Sequence, residues 1–226
     1  MIEAILPAGV SACETCTDLD EPLFPVELAA IASAVPKRQG EFRTVRGCAR
    51  AALAGLGLDR PPMVPGERGA PSWPAGVVGS MTHCTGYAAA AAASAQLFAG
   101  LGIDAEPHAP LPDGVLDVVT RPGEREHLIE LGRTYPDVCW DRVLFSAKES
   151  IYKTWFPLTR SWLGFEDVTV ILDPTGGSFS ADLLVSAPDI GGRQLTGLTG
   201  RWLVRNGLVV AVATLAAAGG PAAPDA

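Results

Sequence analysis

The chain has 226 residues and a mass of 23.5 kDa, which is long for one average domain of about 100–150 residues and short for two. Hydrophobic residues make up 48% of the sequence and charged residues 19%, so the chain can bury a core and is neither disordered nor collagen-like. Its 17 Lys and Arg residues against 25 Asp and Glu give a net charge of −8. This balance argues against nucleic-acid binding over the whole surface.

Segments typical of membranes or secretion are missing from the sequence pattern. No run of about 18 uninterrupted apolar residues occurs, so we expect no membrane segment. The N-terminal stretch carries Glu3 where a secretory signal has basic residues, and we expect a cytoplasmic protein. The odd number of cysteines, 5, suits a reducing compartment. Cys13 and Cys16 match C-x-x-C without a second pair, which leaves a zinc or redox site and ordinary free thiols both open.

The clearest helix of the first half is predicted over residues 36–56, where apolar residues recur at helical spacing and Gly57 provides a stop. Its other face is basic. Either this face forms an anion site or it is a solvated basic stripe. The basic residues are Lys37, Arg38, Arg43, Arg46 and Arg50, of which the last three share one side of the helix.

Strands are predicted over residues 76–81, 87–94 and 97–103, and the last two could form a hairpin, although the helix propensity of alanine opposes this. Prolines at positions 107, 110 and 112 then interrupt the chain. We therefore predict an N-terminal half over residues 1–106, a proline-rich connector over 107–114 and a C-terminal half over 115–226.

The second half is predicted to begin with helices over 121–131 and 137–156, the second ended by Pro157. Strands follow, and Asn206-Gly207 is a strong signal for a two-residue hairpin. The small residues of the tail, 216–226, indicate a frayed end. The predicted strands cover residues 165–172, 179–185, 195–204 and 208–215.

Asp104 and Glu106 lie two residues apart at the end of a predicted strand, so their side chains point to the same face. Two neighbouring carboxylates repel, and a cation between them offsets that cost. Hard oxygen ligands suit Mg²⁺, especially with a phosphate as a further ligand. The alternative is a pair of exposed acids at a strand end.

Two further patterns could carry chemistry. Glu149 and Lys153 share one face of the second long helix. They are either a surface ion pair or a carboxylate base beside an ammonium aimed at a phosphate. His83 directly follows a predicted strand, where it is either a hydrogen-bonding loop residue or a site residue. Motifs of common hydrolases, P-loop proteins, dinucleotide-binding proteins and zincins are absent from the sequence.

Taken together and in order, three segments resemble the signature motifs of the 4′-phosphopantetheinyl transferase superfamily. With the basic helix and the stretch 66–74, they resemble its surfactin-type, enterobactin-synthase-associated branch. The resemblance implies an α+β fold of two similar α/β halves related by a pseudo-twofold axis, each with a long helix on a small antiparallel sheet. The segments are Gly79-Ser-Met-Thr-His-Cys84, Gly102-Ile-Asp-Ala-Glu106 and Phe145-Ser-Ala-Lys-Glu-Ser-Ile-Tyr-Lys153.

The resemblance also implies a reaction and its partners. The 4′-phosphopantetheine arm of coenzyme A would move to a serine of an apo acyl or peptidyl carrier protein of fatty acid, polyketide, nonribosomal peptide or siderophore synthesis. Adenosine 3′,5′-bisphosphate would leave, and the enzyme would be a monomer. Carriers would dock around residues 116–128. The alternatives are a Mg²⁺-dependent nucleotide-pyrophosphate hydrolase and a non-catalytic module that binds coenzyme A or carriers.

The same resemblance implies roles for individual residues. Asp104, Glu106 and Glu149 would hold Mg²⁺. Glu149 would be the general base for the serine, directly or through a water, and Lys153 would offset phosphate charge. The candidates for coenzyme A binding are Lys37, Arg38, Arg46, Arg68, Gly69, Ala70, Pro71, Thr82, His83, Lys148 and Lys153.

Overall fold

The computed structural model describes residues 1–186 and 188–218; of the predicted frayed tail, residues 219–226 lie outside the described part. Five helices and ten strands alternate with short 3₁₀ turns at Ile2–Ile5, Glu67–Gly69 and Phe165–Asp167. The helices are α1 Pro25–Ile31, α2 Pro36–Gly55, α3 Val115–Val119, α4 Pro122–Thr134 and α5 Trp140–Thr159. The strands are β1 Val10–Thr15, β2 Val77–Cys84, β3 Tyr87–Ser94, β4 Phe98–Pro107, β5 Val168–Asp173, β6 Ser178–Leu183, β7 Asp189–Ile190, β8 Arg193–Gln194, β9 Gly197–Arg205 and β10 Leu208–Ala216.

The first half is a three-stranded antiparallel sheet, in the order β1-β3-β2, covered by α2. The central strand β3 is a run of alanines buried on both faces, so two layers pack closely against it. Burial between these layers overrides the helix propensity of alanine. Ala88, Ala90 and Ala92 pack against α2, and Ala89, Ala91 and Ala93 pack against a second core shared with β4 and β10.

The predicted hairpin between β3 and β4 is wrong, although both strands exist. The chain turns at Ser94–Leu97, where the Leu97 N–H donates to the Ser94 carbonyl at 3.0 Å, but β4 then enters another sheet. Both edges of β3 are already paired, with β1 and with β2. No hydrogen-bonding edge of β3 is therefore left for β4.

The second sheet is antiparallel, has five strands in the order β4-β10-β9-β6-β5, and carries α5 on one face. Strands β9 and β10 form the hairpin predicted at Asn206-Gly207, whose residues have φ angles of 54° and 73°. A third sheet joins β7 to β8. The structure thus confirms an α+β architecture with a long helix on an antiparallel sheet in each half. Strand β4, from the predicted N-terminal half, pairs with β10, and the division at 107–114 stays a prediction.

Side-chain hydroxyls join the two large sheets where β2 approaches β4. Ser80 Oγ accepts a hydrogen bond from the Ile103 N–H at 3.0 Å, and Thr82 Oγ1 accepts one from the Ala105 N–H at 3.0 Å. These hydroxyls satisfy buried β4 amides that would otherwise lack partners. The contact places the end of β2 beside the acids of β4.

Two glycines let α5 approach β4 closely. Gly100, Gly102 and Asp104 lie on one face of β4, because strand side chains alternate. A Cβ at Gly102 would lie 2.0 Å from the Ser150 carbonyl oxygen, and one at Gly100 would lie 2.8 Å from Thr154 Cγ2. Only glycine fits at these two positions. The close contact brings α5 within reach of Asp104.

Helix α5 continues beyond Pro157, where the sequence predicts its end. The helix runs to Thr159, and Arg160 closes it with a φ of 55°. Proline removes one backbone donor, but the Arg160 N–H still reaches the Phe156 carbonyl at 2.9 Å. In the last turn the loss of one helical hydrogen bond is therefore tolerated.

Gly102→Ala is expected to lower stability, because the added methyl group meets backbone oxygen on α5. Overpacking of this kind costs about 1–3 kcal/mol. Chemical denaturation would measure the change in unfolding free energy. Gly132→Ala on α4, where a Cβ meets nothing within 4 Å, is the matched control. Wild-type stability in Gly102→Ala would contradict the argument.

Candidate functional site

Asp104 lies at the centre of the candidate site, between β4 and α5, and is only 4% exposed. Lys153 Nζ donates to its Oδ1 at 2.7 Å, and Ser146 Oγ donates to its Oδ2 at 2.9 Å. The Thr82 hydroxyl lies 3.4 Å from Oδ1. The structure therefore brings all three sequence motifs together on one carboxylate.

The environment of the other two acids, Glu106 and Glu149, disfavours their ionised forms. Burial and then the charge of Asp104 raise the pKa of Glu106 above its usual range. The same two causes, in the same order, raise the pKa of Glu149. Two cations oppose this rise in pKa. The charge of Lys153 acts on both glutamates, and Arg142 Nη1 donates to Glu106 Oε2 at 2.8 Å. The site thus concentrates like charge, which costs free energy unless a cation offsets it.

The donor chemistry fits a hard divalent cation. All candidate ligands are carboxylate oxygens, which Mg²⁺ prefers, and the raised pKa values of Glu106 and Glu149 mark the repulsion that such an ion would relieve. Within residues 1–186 and 188–218, however, no three His, Cys, Asp or Glu side chains already form a metal-binding group. The assignment of Asp104, Glu106 and Glu149 as metal ligands therefore stays a prediction.

His83 lies inside β2 and not after it, opposite Ala88 of β3. Arg38 Nη1 contacts its Nε2, and burial followed by the nearby charge of Arg38 lowers the pKa of His83. The neutral ring accepts from the guanidinium. Arg38 is also held by Glu41 at 3.3 Å. This corner joins α2 to β2, the strand that carries the first motif.

Arg46 is only 6% exposed and is partly committed to the fold. Its Nε donates to the Met63 carbonyl at 3.1 Å, and its guanidinium lies 3.5 Å from the Phe42 ring centroid. Burial lowers the pKa of Arg46 to about 10, with Arg38 as a nearby positive charge. Arg38 and Arg46 therefore form a local positive corner, and the neutral ring of His83 lies beside Arg38.

The rest of the basic face, for which the sequence left an anion site and a solvated stripe both open, is mostly held by contacts within the fold. Arg50 is buried and donates to Glu27 and Glu21, at 2.6 Å and 2.7 Å. Arg43 donates to the Glu21 carbonyl at 3.0 Å. Only Lys37, whose side chain is 82% exposed, reaches fully into solvent.

The stretch 68–71, which the resemblance implies binds coenzyme A, borders a cavity. Ala70 and Pro71 line a cavity of about 410 Å³ with β2, β4 and the end of α5. Arg68, with a φ of 52°, lies over the ring of Trp162 at 5.0 Å. A larger cavity of about 610 Å³ lies beside Tyr87 and Leu208, and no residue of the candidate site lines it.

Lys148 does not belong to the site, which corrects its assignment as a phosphate ligand. Its side chain is 1% exposed, and its Nζ donates to Glu124 Oε2 at 2.7 Å. Three backbone carbonyls, of Val119, Phe165 and Val168, accept further hydrogen bonds from it. The ammonium has no donor left for a phosphate.

Thr82 is corrected in the same way, because its hydroxyl is buried between β4 and Asp104. The hydroxyl accepts from the Ala105 N–H, and its proton faces Asp104 Oδ1. It organises the sheet junction and is not exposed to a coenzyme phosphate.

Comparisons with known proteins identify the family. A model of the 4′-phosphopantetheinyl transferase N-terminal domain matches residues 26–93, and one of the 4′-phosphopantetheinyl transferase superfamily matches residues 100–209. The chain belongs to the 4′-phosphopantetheinyl transferase superfamily. Its relatives include the 4′-phosphopantetheinyl transferases Svp of Streptomyces mobaraensis, PptT of Mycobacterium tuberculosis (strain ATCC 25618 / H37Rv) and Npt of Nocardia iowensis.

These relatives match nearly the whole transferase. Svp is 55% identical over 98% of this chain and 92% of its own length. PptT is 45% identical over 95% of this chain and 98% of its own length. Npt is 48% identical over 93% of this chain and 97% of its own length. Separately, none of the helices within residues 1–186 and 188–218 has the length and apolar character of a bilayer-crossing segment.

Sequence reasoning missed two residues of the transferase that contact the acids. Ser146 donates to Asp104, and Arg142 donates to Glu106. On α5, Ser146 lies three residues before Glu149 and Arg142 lies seven residues before it, and these spacings place them on the same helix face. The helical spacing could have indicated them.

Cys13 and Cys16 are free thiols, one half-buried and one exposed.

Glu27→Gln is expected to destabilise the transferase by about 3 kcal/mol near pH 7, because it removes the more buried of the two carboxylates that pair with Arg50 and leaves only Glu21. Burial raises the pKa of Glu27, but the N–H groups of Phe24 and Met63 and the Arg50 guanidinium together hold it below 4.5. A carboxyl group whose pKa is lowered by folding stabilises the fold at any pH above its pKa in the unfolded chain. This stabilisation is lost as the pH falls through the lowered pKa of the folded state.

The difference in unfolding free energy between wild type and Glu27→Gln should therefore shrink below about pH 4.5. Urea unfolding across pH would measure it, with Glu130→Gln on the exposed face of α4 as the control. A difference that is equal at every pH would show that charge plays no part.

Lys148→Met is expected to lower stability by about 3–5 kcal/mol while leaving the KM for coenzyme A unchanged. The variant strands the Glu124 carboxylate in the core. Adding Glu124→Gln removes that charge, keeps an acceptor for the Val170 N–H, and should recover part of the loss. A raised KM with normal stability would restore Lys148 to the phosphate site. Thermal unfolding and initial rates distinguish the two outcomes.

Proposed function

We propose that α5 and β4 together form the reaction centre of this 4′-phosphopantetheinyl transferase. The enzyme moves the 4′-phosphopantetheine arm of coenzyme A to a serine hydroxyl of an apo carrier protein and releases adenosine 3′,5′-bisphosphate. The observation that carries the assignment is the 2.7 Å contact between Lys153 Nζ and Asp104 Oδ1. It joins the second motif to the third.

Asp104, Glu106 and Glu149 are the proposed ligands of a divalent metal, which the family typically uses, and we propose Mg²⁺. The oxygen-only donor set and the repulsion among the three carboxylates support this assignment. Bound Mg²⁺ would neutralise charge on the pyrophosphate of coenzyme A.

Glu149 is the proposed general base that takes the proton of the carrier serine, directly or through a water. Its raised pKa, caused by burial and by Asp104, makes it a stronger base than an exposed glutamate. Lys153 lies one helical turn further along the same face, where its ammonium can meet the charge on the bridging phosphates. Base and cation thus come from a single rigid helix.

Coenzyme A binding is proposed at the positive corner of Arg38 and Arg46, with His83 beside Arg38 and Lys37 at the rim. Clustered guanidinium groups suit the 3′-phosphate, since they offer several directed donors. The stretch Arg68, Gly69, Ala70 and Pro71 is proposed to border the adenine, which its position beside the 410 Å³ cavity supports. The enzyme carries a net charge of −8, so this local patch is what makes an anionic substrate acceptable.

Carriers are proposed to dock on α3 and the start of α4. Val118 of α3 is 69% exposed, whereas Leu116 packs partly against the core. Arg125 forms an ion pair with Asp117 beside it. This surface offers an apolar side chain next to arginines, which suits an acidic carrier. We propose acyl and peptidyl carriers of fatty acid, polyketide or nonribosomal peptide synthesis as the partners.

We also propose that the enzyme works as a monomer in the cytoplasm. Both long helices and both large sheets of one chain already meet at the site, so a second copy is not needed to complete it. All 5 cysteines are free, which suits a reducing compartment.

Intact mass of apo carriers after incubation with coenzyme A and Mg²⁺ tests the proposal. Wild type should add one phosphopantetheine group, and Glu149→Gln should lower kcat by about 10²–10⁴-fold, the usual contribution of a general base. Glu130→Gln is the matched control. EDTA should abolish the transfer.

A carrier whose acceptor serine is replaced by alanine separates transfer from hydrolysis. Release of adenosine 3′,5′-bisphosphate without that serine would favour a pyrophosphate hydrolase. Binding of coenzyme A without any turnover would favour a non-catalytic module. Wild-type turnover in Glu149→Gln would exclude that residue as the base.

A further inference from the structure

The Arg142 side chain links a proposed metal ligand to the proline-rich connector. Its side chain is 13% exposed. Nη1 donates to Glu106 Oε2 at 2.8 Å, Nε donates to the Ala109 carbonyl at 2.9 Å, and Nη2 donates to the Pro110 carbonyl at 2.8 Å. Three nitrogens of one guanidinium therefore hold three acceptors within residues 106–110.

These three contacts fix the carboxylate as well as the chain that follows it. A guanidinium is planar and its N–H groups point in fixed directions, so holding the two carbonyls also fixes where Nη1 points. The hydrogen bond then fixes Glu106 Oε2. Within residues 1–186 and 188–218, Oε1 of Glu106 accepts no protein hydrogen bond.

We propose that Arg142 is a positioning residue that orients Glu106 so that its Oε1 is presented to the divalent metal. The inference rests on the proposed function, because it takes Glu106 as a metal ligand. Hydrogen-bond partners of metal-binding side chains orient the ligand, and their loss typically costs about 10–100-fold in metal affinity. A charge-assisted bond to a carboxylate is a strong way to hold it.

The simpler role for Arg142 is to hold the connector in place without any effect through Glu106. A neighbouring residue separates the two roles. Asp141 Oδ2 accepts a hydrogen bond from the Leu111 N–H at 2.7 Å, so it holds the same connector from the same helix turn without contacting Glu106. Asp141→Ala is therefore the matched control.

Binding of Mn²⁺, which accepts the same oxygen ligands as Mg²⁺, would be measured by electron paramagnetic resonance on the full-length enzyme with coenzyme A. Arg142→Gln should weaken Mn²⁺ binding by about 10–100-fold. Arg142→Lys restores the charge but not the planar group, so it should recover only part of the affinity. Asp141→Ala should bind Mn²⁺ like wild type. Thermal unfolding of each variant checks that it is folded.

The concentration of Mg²⁺ needed for half-maximal transfer should rise in Arg142→Gln, while the KM for coenzyme A at saturating Mg²⁺ stays unchanged. Equal weakening of Mn²⁺ binding in Arg142→Gln and Asp141→Ala would assign the effect to the connector and overturn the proposal. Wild-type Mn²⁺ binding in Arg142→Gln would also overturn it.

Glu106→Gln distinguishes failure of this inference from failure of the proposed function. If Glu106→Gln weakens Mn²⁺ binding and Arg142→Gln does not, only the positioning role falls. If Glu106→Gln itself binds Mn²⁺ like wild type, Glu106 is not a ligand, and the metal assignment falls together with the role of Arg142.

Discussion

The close packing of α5 against β4 is the contact on which the rest of the site depends. Gly100 and Gly102 leave no side chains between the two elements, and a Cβ at either position would collide with α5. Because the helix lies this near, a lysine on it can reach Asp104 at 2.7 Å. Strand β4 is in turn held between β10 and the hydroxyls of β2. Backbone packing, with no added loop, thus sets the distance between the acids and the proposed base.

The electrostatics of the site oppose the stability of the fold. Burial and mutual repulsion raise the pKa values of Glu106 and Glu149, so their ionised forms cost free energy near neutral pH. Lys153 and Arg142 offset part of that cost from α5. This electrostatic cost is confined to the site, since the surrounding core of α5 and its sheet is apolar and tightly packed. Such a balance is typical of sites in which charge is kept for catalysis.

The basic residues of α2 divide between two tasks. Arg50 and Arg43 hold the segment that precedes the helix, through Glu21 and Glu27. Arg38 contacts the ring of His83, whereas Arg46 donates to the Met63 carbonyl and lies over the Phe42 ring. A sequence pattern treats these residues alike, because each is an arginine at helical spacing. The partners of Arg43 and Arg50 lie 22 to 29 residues away along the chain, at distances that spacing within the helix cannot reveal.

Local patterns in the sequence were enough to predict both long helices, most strands, the hairpin at Asn206-Gly207 and the three motifs with their family. Each depends on neighbours within a few residues, on backbone preferences or on a motif order. Tertiary structure alone decided that β4 pairs with β10, since that choice depends on which edges of β3 are already occupied. It also decided that Lys148 is buried against Glu124 while Lys153 meets Asp104. These two lysines lie on different faces of one helix, and only the packing of that helix determines which acid each of them meets.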